Sequence, residues 1–341
     1  MNEFFKAIRS FLTEYLPKQK CCSENTVRSY KQALNLFVTY LCEVQNLSVK
    51  QIDFASINRD IILDFLDWLE QERRCGASSR NHRLAVLRSF FAYAGVLDCC
   101  QIALHLELTA IPIKKAPVKV VDFLTEPALE ALLRQPDLSK KTGLRNQFFM
   151  ILMYDTAARC SELLNLKIRD FRLDVKHPFV YLQGKGNKTR TVPLLKKTVQ
   201  HYKHYLQRFH DAQPADSAAV VFFTTSHGSR QPMSIDNAEA FMKKYGKSAR
   251  RDCPEVPERV YPHMIRHTRA MHLYRQGVPL VLVAEFLGHA SVETTKIYAY
   301  ADTEMKRAAL EKIDTVSSGS PAPTPIWEND EEMILKLSGL K

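Results

Sequence analysis

None of the eight cysteines (Cys21, Cys22, Cys42, Cys75, Cys99, Cys100, Cys160 and Cys253) forms a C-x-x-C pair. That argues against a zinc site and leaves reduced thiols as the expectation. No apolar run approaches the roughly 18 residues that suggest a membrane span. The opening MNEFFKAIRSFLTEYL carries acids and lacks the basic start, apolar middle and small-residue cleavage site of a signal peptide. A cytoplasmic location is therefore expected. GKGNK, at 184–188, lacks the G-x-x-x-x-G-K-[ST] frame and lies between strand-like segments, which excludes a nucleotide-phosphate loop.

What is present is positive charge, unevenly placed. The 341 residues carry a formal net charge of +11. Residues 1–110 hold 13 Lys/Arg against 12 Asp/Glu, residues 111–315 hold 33 against 21, and residues 316–341 hold 2 against 4. The excess sits in the middle block, as in proteins that bind polyanions. The length accommodates two domains, each with its own core.

Residues 1–110 read as a small helical domain. SENTVRSYKQALNLFVTYL places Val27, Tyr30, Leu34, Phe37 and Leu41 on one face, with Ser23 or Asn25 as cap. INRDIILDFLDWLEQERR repeats the pattern with Ile61, Phe65, Trp68 and Leu69, and SSRNHRLAVLRSFFAYAGV with Leu84, Leu87 and Phe91. Arg80, Arg83 and Arg88 are placed away from that last stripe. IPIKKAPVKVVD, residues 111–122, has two prolines, three lysines and no helical period, and reads as an extended interdomain linker. Residues 123–315 form the second domain. There FVYLQGKGNKTRTVPL predicts a β-hairpin with Lys185 and Lys188 at or near its tip, among helices. Residues 316–341 combine a Ser/Pro tether, SSGSPAPTP, with an amphipathic segment carrying Ile326, Trp327, Met333, Ile334 and Leu337.

Three motifs carry donors suited to an anion. TAARCSELLNL sets Arg159 and Glu162 three apart among apolar residues; a structural ion pair is an equal reading of that motif alone. YPHMIRHTRAMHLYRQG sets His263 and Arg266 on one face, behind Pro262 in a first helical turn. LGHASVETTKIYAYAD sets His289 nine residues before Tyr298, with Tyr300 two further on.

The ordered series Arg159, Lys185, His263-x-x-Arg266, Leu287-Gly288-His289 and Tyr298 closely resembles the catalytic domain of the tyrosine recombinases (phage integrase and Xer-like). The resemblance covers about residues 120–312 and, more weakly, the N-terminal helices. It implies a mainly α fold: a helical, SAM-like core-binding domain and a mostly helical catalytic domain with a small β-hairpin. It implies that Arg159, Lys185, His263, Arg266 and His289 surround a scissile DNA phosphate and that Tyr298 attacks it, with Glu162 supporting from just outside the phosphate contacts. Many relatives have His where this chain has Tyr300.

The chemistry agrees. Arginine forks and a His donor suit the oxygens of a phosphodiester under in-line attack. His263 is the expected general base for Tyr298, and Lys185 the proton donor to the leaving 5′-oxygen. No metal, ATP or other cofactor is expected. Arg80, Arg83, Lys114 and Lys115 are the expected DNA contacts outside the pocket. The implied partners are double-stranded DNA and further copies of the chain in a tetramer, the tail docking on a neighbour, and the implied location is the nucleoid of a prokaryote or mobile element. A topoisomerase IB-like enzyme and a silent DNA-binding accessory protein are the alternatives. No arm-binding domain is expected before the core-binding helices, and the tail favours a mobile-element recombinase over a housekeeping resolvase.

Overall fold

A computed structural model describes residues 2–116, 121–184, 188–210, 214–215, 217–226, 228–301, 307 and 331–337. Two compact units divide the chain, Met1–Val118 and Lys119–Lys341. Among the described residues no helix is long and apolar enough to cross a membrane. All eight cysteines are free thiols.

The first unit holds α1 (Glu3–Ser10), which runs on as a π-helical stretch Phe11–Gln19, then α2 (Glu24–Glu43), α3 (Arg59–Gln71), α4 (Ala77–Leu97) and α5 (Ile102–Ala110). Side-chain caps start several of them: Asn2, Ser23 and Asn58 accept from the backbone N–H groups of Phe5, Thr26 and Ile61. The sequence stripes bury Leu34, Phe37, Leu41, Phe65, Leu69, Leu84, Leu87 and Phe91. Ile61 and Trp68 are only partly buried, and Ile62 and Leu66 take the inner positions beside Phe65.

Two sequence expectations change here. Arg80 is buried, because it lies four residues before Leu84 and so on the same helical face. One guanidinium nitrogen donates to Pro112 O at 3.1 Å, and Asn81 donates to Lys114 O at 2.7 Å. Arg88 donates to the carbonyls of Leu108, Thr109 and Ile111. The start of the expected linker, 111–114, is therefore laid along α4. Arg80 anchors that exit instead of offering a cation to DNA. Lys114 pairs with Glu70 at 2.5 Å, Arg83 is half-buried without a bond among the described residues, and Lys115 is exposed.

The second unit runs α6 (Glu126–Arg134), α7 (Lys141–Thr156), α8 (Cys160–Leu164), β1 (Phe171–Arg172), β2 (Phe179–Gln183), β3 (Thr189–Pro193), α9 (Lys196–Phe209), β4 (Phe223–Ser226), β5 (Ser229–Pro232), α10 (Ile235–Asp252), α11 (Pro262–Arg275), α12 (Leu280–Leu287), a 3₁₀ turn Val292–Thr295 and α13 (Lys296–Ala301). Antiparallel β1–β2–β3 contains the expected hairpin, in register Val180↔Val192, closed by Gly184 N donating to Lys188 O at 2.7 Å. Lys185, at its tip, lies outside the described residues. The hairpin β4–β5 was not foreseen; its turn carries Gly228 at φ +78°. Tail residues Glu331–Leu337 form α14, with Met333 and Leu335 exposed. Ile326 and Trp327 lie outside the described residues.

The main core of this unit gathers Phe148 and Phe149 of α7 against Tyr202 and Tyr205 of α9, Phe222, and Phe241 of α10. A smaller cluster holds Ala157, Ala270, Met271, Val283, Leu287 and Tyr298. The helices α7, α8, α11, α12 and α13 thus bring their ends to one region.

Replacing Arg80 by Ala should lower the stability of the first unit by about 1–3 kcal/mol, since a buried side chain is truncated and its bond to the Pro112 carbonyl is lost. Urea unfolding followed by Trp68 fluorescence reads this. An unchanged midpoint would show that Arg80 does not anchor the exit segment.

Candidate active site

The site begins where α7 stops. Ala157, its C-cap, takes the left-handed conformation at φ +47°, which redirects the chain so that Arg159 caps α8. Glu162 sits at the third helical position. Its Oε2 accepts from the Arg159 backbone N–H at 2.8 Å, and its Oε1 accepts from Arg159 Nη1 at 2.7 Å. The i, i+3 spacing seen in sequence is thus helix-cap geometry: the acid satisfies an orphan amide and holds a side chain at once. Arg159 Nη2 reaches Gly288 O at 3.4 Å.

Arg266, on α11, is 1% exposed. Its Nη1 donates to Ala157 O and its Nη2 to Leu287 O, both at 2.7 Å. Burial and then the Arg159 charge bring its pKa down to about 10, so it remains charged at neutral pH.

α12 ends in Gly288, left-handed at φ +65°, with Gly288 N donating to Glu285 O and His289 N to Ala284 O, both at 2.9 Å. This turn presents His289, whose Nδ1 lies 2.8 Å from Thr295 Oγ1. Desolvation, then Arg266 and Arg159, lower its pKa to about 4. His263 stands at the open rim, its pKa lowered by partial desolvation, then by Arg266 and Arg159. At neutral pH both rings are uncharged.

Tyr298, on α13, is 1% exposed. Its hydroxyl lies 2.8 Å from His267 Nδ1. Burial raises the phenol pKa to about 12, opposed by Arg266. Desolvation, then His263 and Arg266, lower that of His267 to about 4. A neutral imidazole faces a neutral phenol, and the hydroxyl donates to Nδ1 when the ring proton is on Nε2. The partner of Tyr298 is therefore His267, not His263, the base expected from sequence. The two imidazoles pack edge to face at 4.6 Å. The side chain of Tyr300 lies outside the described residues.

Of the sequence-predicted residues, Arg159, Glu162, His263, Arg266, His289 and Tyr298 converge here. Two others were missed. His267 follows Arg266 directly and is masked by the motif around it. Arg190 donates to both oxygens of Glu162, at 3.0 and 2.8 Å. Its signal was available: Arg190 stands two residues before buried Val192 on β3, and alternation turns both to the same side. Two guanidiniums thus meet one carboxylate and a third, Arg266, has carbonyl partners, leaving a surplus of positive charge beside neutral histidines and a phenol. Among the described residues, the grouping of metal-ligand type is the exposed Asp98, Cys99 and Cys100 of the first unit.

Comparison with known proteins identifies the family. Residues 122–305 match the phage integrase family, and residues 8–95 match the phage integrase N-terminal SAM-like domain. A putative integrase/recombinase, y4rC of Sinorhizobium fredii, is 31% identical over 98% of this chain and 97% of its own. The tyrosine recombinase XerD of Staphylococcus haemolyticus is 29% identical over 84% of this chain and 91% of its own. In fold, the chain resembles the XerH site-specific recombinase in a post-cleavage complex with palindromic difH substrate, at TM-score 0.63 and 22% identity over 91% of this chain and 88% of the other. It also resembles the Tn1549 transposon integrase in complex with transposon right end DNA, at TM-score 0.64 and 16% identity over 91% and 99%. With a matched catalytic domain, a matched N-terminal domain and a relative aligned along nearly its whole length, this chain belongs to the phage integrase family of tyrosine recombinases.

Proposed function

We propose that the protein recombines specific sites in double-stranded DNA by cleaving and rejoining strands through a 3′-phosphotyrosine intermediate and a Holliday junction. The observation that carries this is the Tyr298 hydroxyl bonded to His267, one residue from Arg266, whose guanidinium ties together the segments bearing Arg159 and His289.

A phosphodiester entering the site meets the remaining N–H groups of Arg159 and Arg266. It also meets His289, whose Nε2–H is free to donate if Nδ1 accepts from Thr295. These donors are fixed before the reaction, so they stabilise the charge gathering on the non-bridging oxygens without reorganising. The resting phenol stays protonated. Burial raises the phenol pKa and lowers that of His267, so neither the phenolate nor the imidazolium is favoured at rest. Transfer therefore accompanies bond formation. Tyr298 Oη bonds to phosphorus, its proton passes to His267 Nδ1, the P–O5′ bond breaks, and Lys185 protonates the leaving oxygen. The phosphotyrosine bond conserves the energy of the broken ester, so a second 5′-hydroxyl reseals the strand without ATP or a metal ion.

Family membership and the basic block of residues 111–315 support duplex DNA as substrate, with Arg83 and Lys115 as contacts outside the pocket. Subunits act as a tetramer, and α14, whose Met333 and Leu335 are exposed, docks on a neighbouring copy. The role in the cell is that of a mobile-element recombinase.

Nicked suicide DNA carrying the target site should trap a covalent adduct with the wild type and with Tyr300→Phe, and none with Tyr298→Phe. Denaturing gel electrophoresis reads the adduct, and its survival in Tyr298→Phe would sink the nucleophile assignment. Relaxation of supercoiled DNA without junction formation would point to a topoisomerase instead.

For DNA affinity, Arg83→Ala should reduce the slope of log K against log salt by about one. Arg80→Ala should leave that slope unchanged. Fluorescence anisotropy across a salt series makes the comparison, and equal slopes in the wild type and Arg83→Ala would remove Arg83 from the interface.

A further inference from the structure

Arg190 does more than balance a charge. Both of its terminal nitrogens are bonded to Glu162, one per oxygen, in the bidentate fork that only a guanidinium provides. Its Nε is buried without a partner among the described residues, so the bonds of the group there go to this one carboxylate. Glu162, whose side chain is 3% exposed, spends the rest of its capacity on the Arg159 backbone and side chain.

The same guanidinium lies against the turn that presents His289. A Cβ built on Gly288 would stand 3.0 Å from Arg190 Cδ and 3.1 Å from Nη1. The bare backbone of Gly288 is what allows this approach, quite apart from its positive φ. The other flank of the hairpin tip is held at the same point: a Cβ on Gly184 would lie 3.4 Å from Glu162 Oε1 and 3.4 Å from Lys188 O. Gly184 and Arg190 stand on either side of the segment that carries Lys185. Three separate pieces of chain therefore meet on the Glu162–Arg190 pair: the Arg159 cap, the His289 turn and the base of the β2–β3 hairpin.

We propose that Arg190 is a positioning residue, which through Glu162 and Gly288 sets Arg159, His289 and the Lys185 hairpin in mutual register. This rests on the recombinase reading above. Arg190 acts through Glu162, to which both of its terminal nitrogens are bonded, and not as a ligand of the phosphate. Without it, Glu162 would face Arg159 alone, and the Arg159 fork would close on the acid, away from the substrate.

The consequence has a distinctive pH dependence. The charged groups facing Glu162 are Arg159 from the α8 cap, Arg190 from β3 and Arg266 from α11. Burial pushes the Glu162 carboxyl up, but Arg190 foremost and then Arg159 outweigh it and hold the pKa below its usual value. Removing Arg190 moves that pKa upward. In the wild type, the stabilisation from ionised Glu162 is present above the unfolded carboxylate range and lost as pH falls through the depressed folded value. In the variant part of it is missing at neutral pH, so the two proteins converge on acidification.

The test compares the wild type, Arg190→Gln, Arg190→Lys and the double variant Arg190→Gln/Glu162→Gln. Single-turnover cleavage of suicide DNA is followed from about pH 5 to pH 8, across the range where a raised carboxyl titrates. Arg190→Gln should bind DNA within about threefold of wild type yet cleave about 100-fold more slowly, the loss typical of a misplaced catalytic group. Its acid limb should move to higher pH, and the double variant should lose that limb. Arg190→Lys should recover part of the rate. A wild-type rate and pH profile in Arg190→Gln would overturn the proposal, as would a rate loss matched by weaker DNA binding.

Melting temperatures against pH, without DNA, keep the two readings apart. The gap between wild type and Arg190→Gln should be widest near neutral pH and close toward about pH 3, below the carboxylate range. A pH-independent gap overturns the coupling. A wild type that forms no adduct, with the gap behaving as stated, sinks the recombinase reading and leaves the coupling standing.

Discussion

Burying the Arg266 guanidinium is the constraint around which the catalytic unit is arranged. A cation that is 1% exposed needs full compensation, yet the two bonds it makes are to backbone carbonyls, not to an acid. Those carbonyls belong to Ala157, the C-cap of α7, and Leu287, the last residue of α12. Both are helix C-terminal carbonyls that lack an intrahelical partner and carry the negative end of a helix dipole. Arg266 thus closes two helix ends at once. Unfilled, each buried carbonyl would cost about 1–3 kcal/mol. The residues just beyond these ends are Arg159 and His289, so the bonds that stabilise the unit also deliver the groups proposed to bind the phosphate.

The charge pattern follows from the same economy. Glu162 is the carboxylate bonded to Arg159 and Arg190, and Arg266 has carbonyl partners only, so the pocket keeps a positive surplus for an anionic substrate. That surplus explains the histidines. His263, His267 and His289 all have lowered pKa values, with neighbouring positive groups adding to desolvation. They act as neutral imidazoles, each with one donor and one acceptor nitrogen. A second cation at His267 would remove the acceptor that Tyr298 uses.

Much of this was legible in the sequence because the catalytic groups sit in short motifs whose local order survives folding. Arg159, His263, Arg266, His289 and Tyr298 are each placed by a cap, a helical face or a turn within a few residues. Arg190 was missed because its role depends on a strand reaching back to α8, and the hairpin drew attention to its lysine tip. His267 was missed because only the approach of α13 tells it from a solvated neighbour of Arg266. Arg80 was misplaced in the other direction: its charge suggested the surface, while its spacing from Leu84 already put it on the buried stripe. Its partner, the carbonyl of Pro112, lies in a segment with no periodicity to read. Spacing fixes faces, and tertiary pairing decides what a charged residue on a given face will meet.

Tyr298, the proposed nucleophile, stands on the smaller of the two clusters in its unit. Tyr298 packs with Ala157, Ala270, Met271, Val283 and Leu287, apart from the large core around Phe148 and Phe149. Two side-chain hydrogen bonds tie this end of the chain inward, Tyr298 to His267 and His289 to Thr295. Segments with few buried contacts open at lower free energy than the domain unfolds. Arg266 is bonded to the carbonyls of Ala157 and Leu287, which belong to this same small cluster, and Arg159 is held by Glu162 of α8. The proposed phosphate ligand Arg266 and the proposed nucleophile Tyr298 are thus anchored on one small cluster, so a local opening there would move both together.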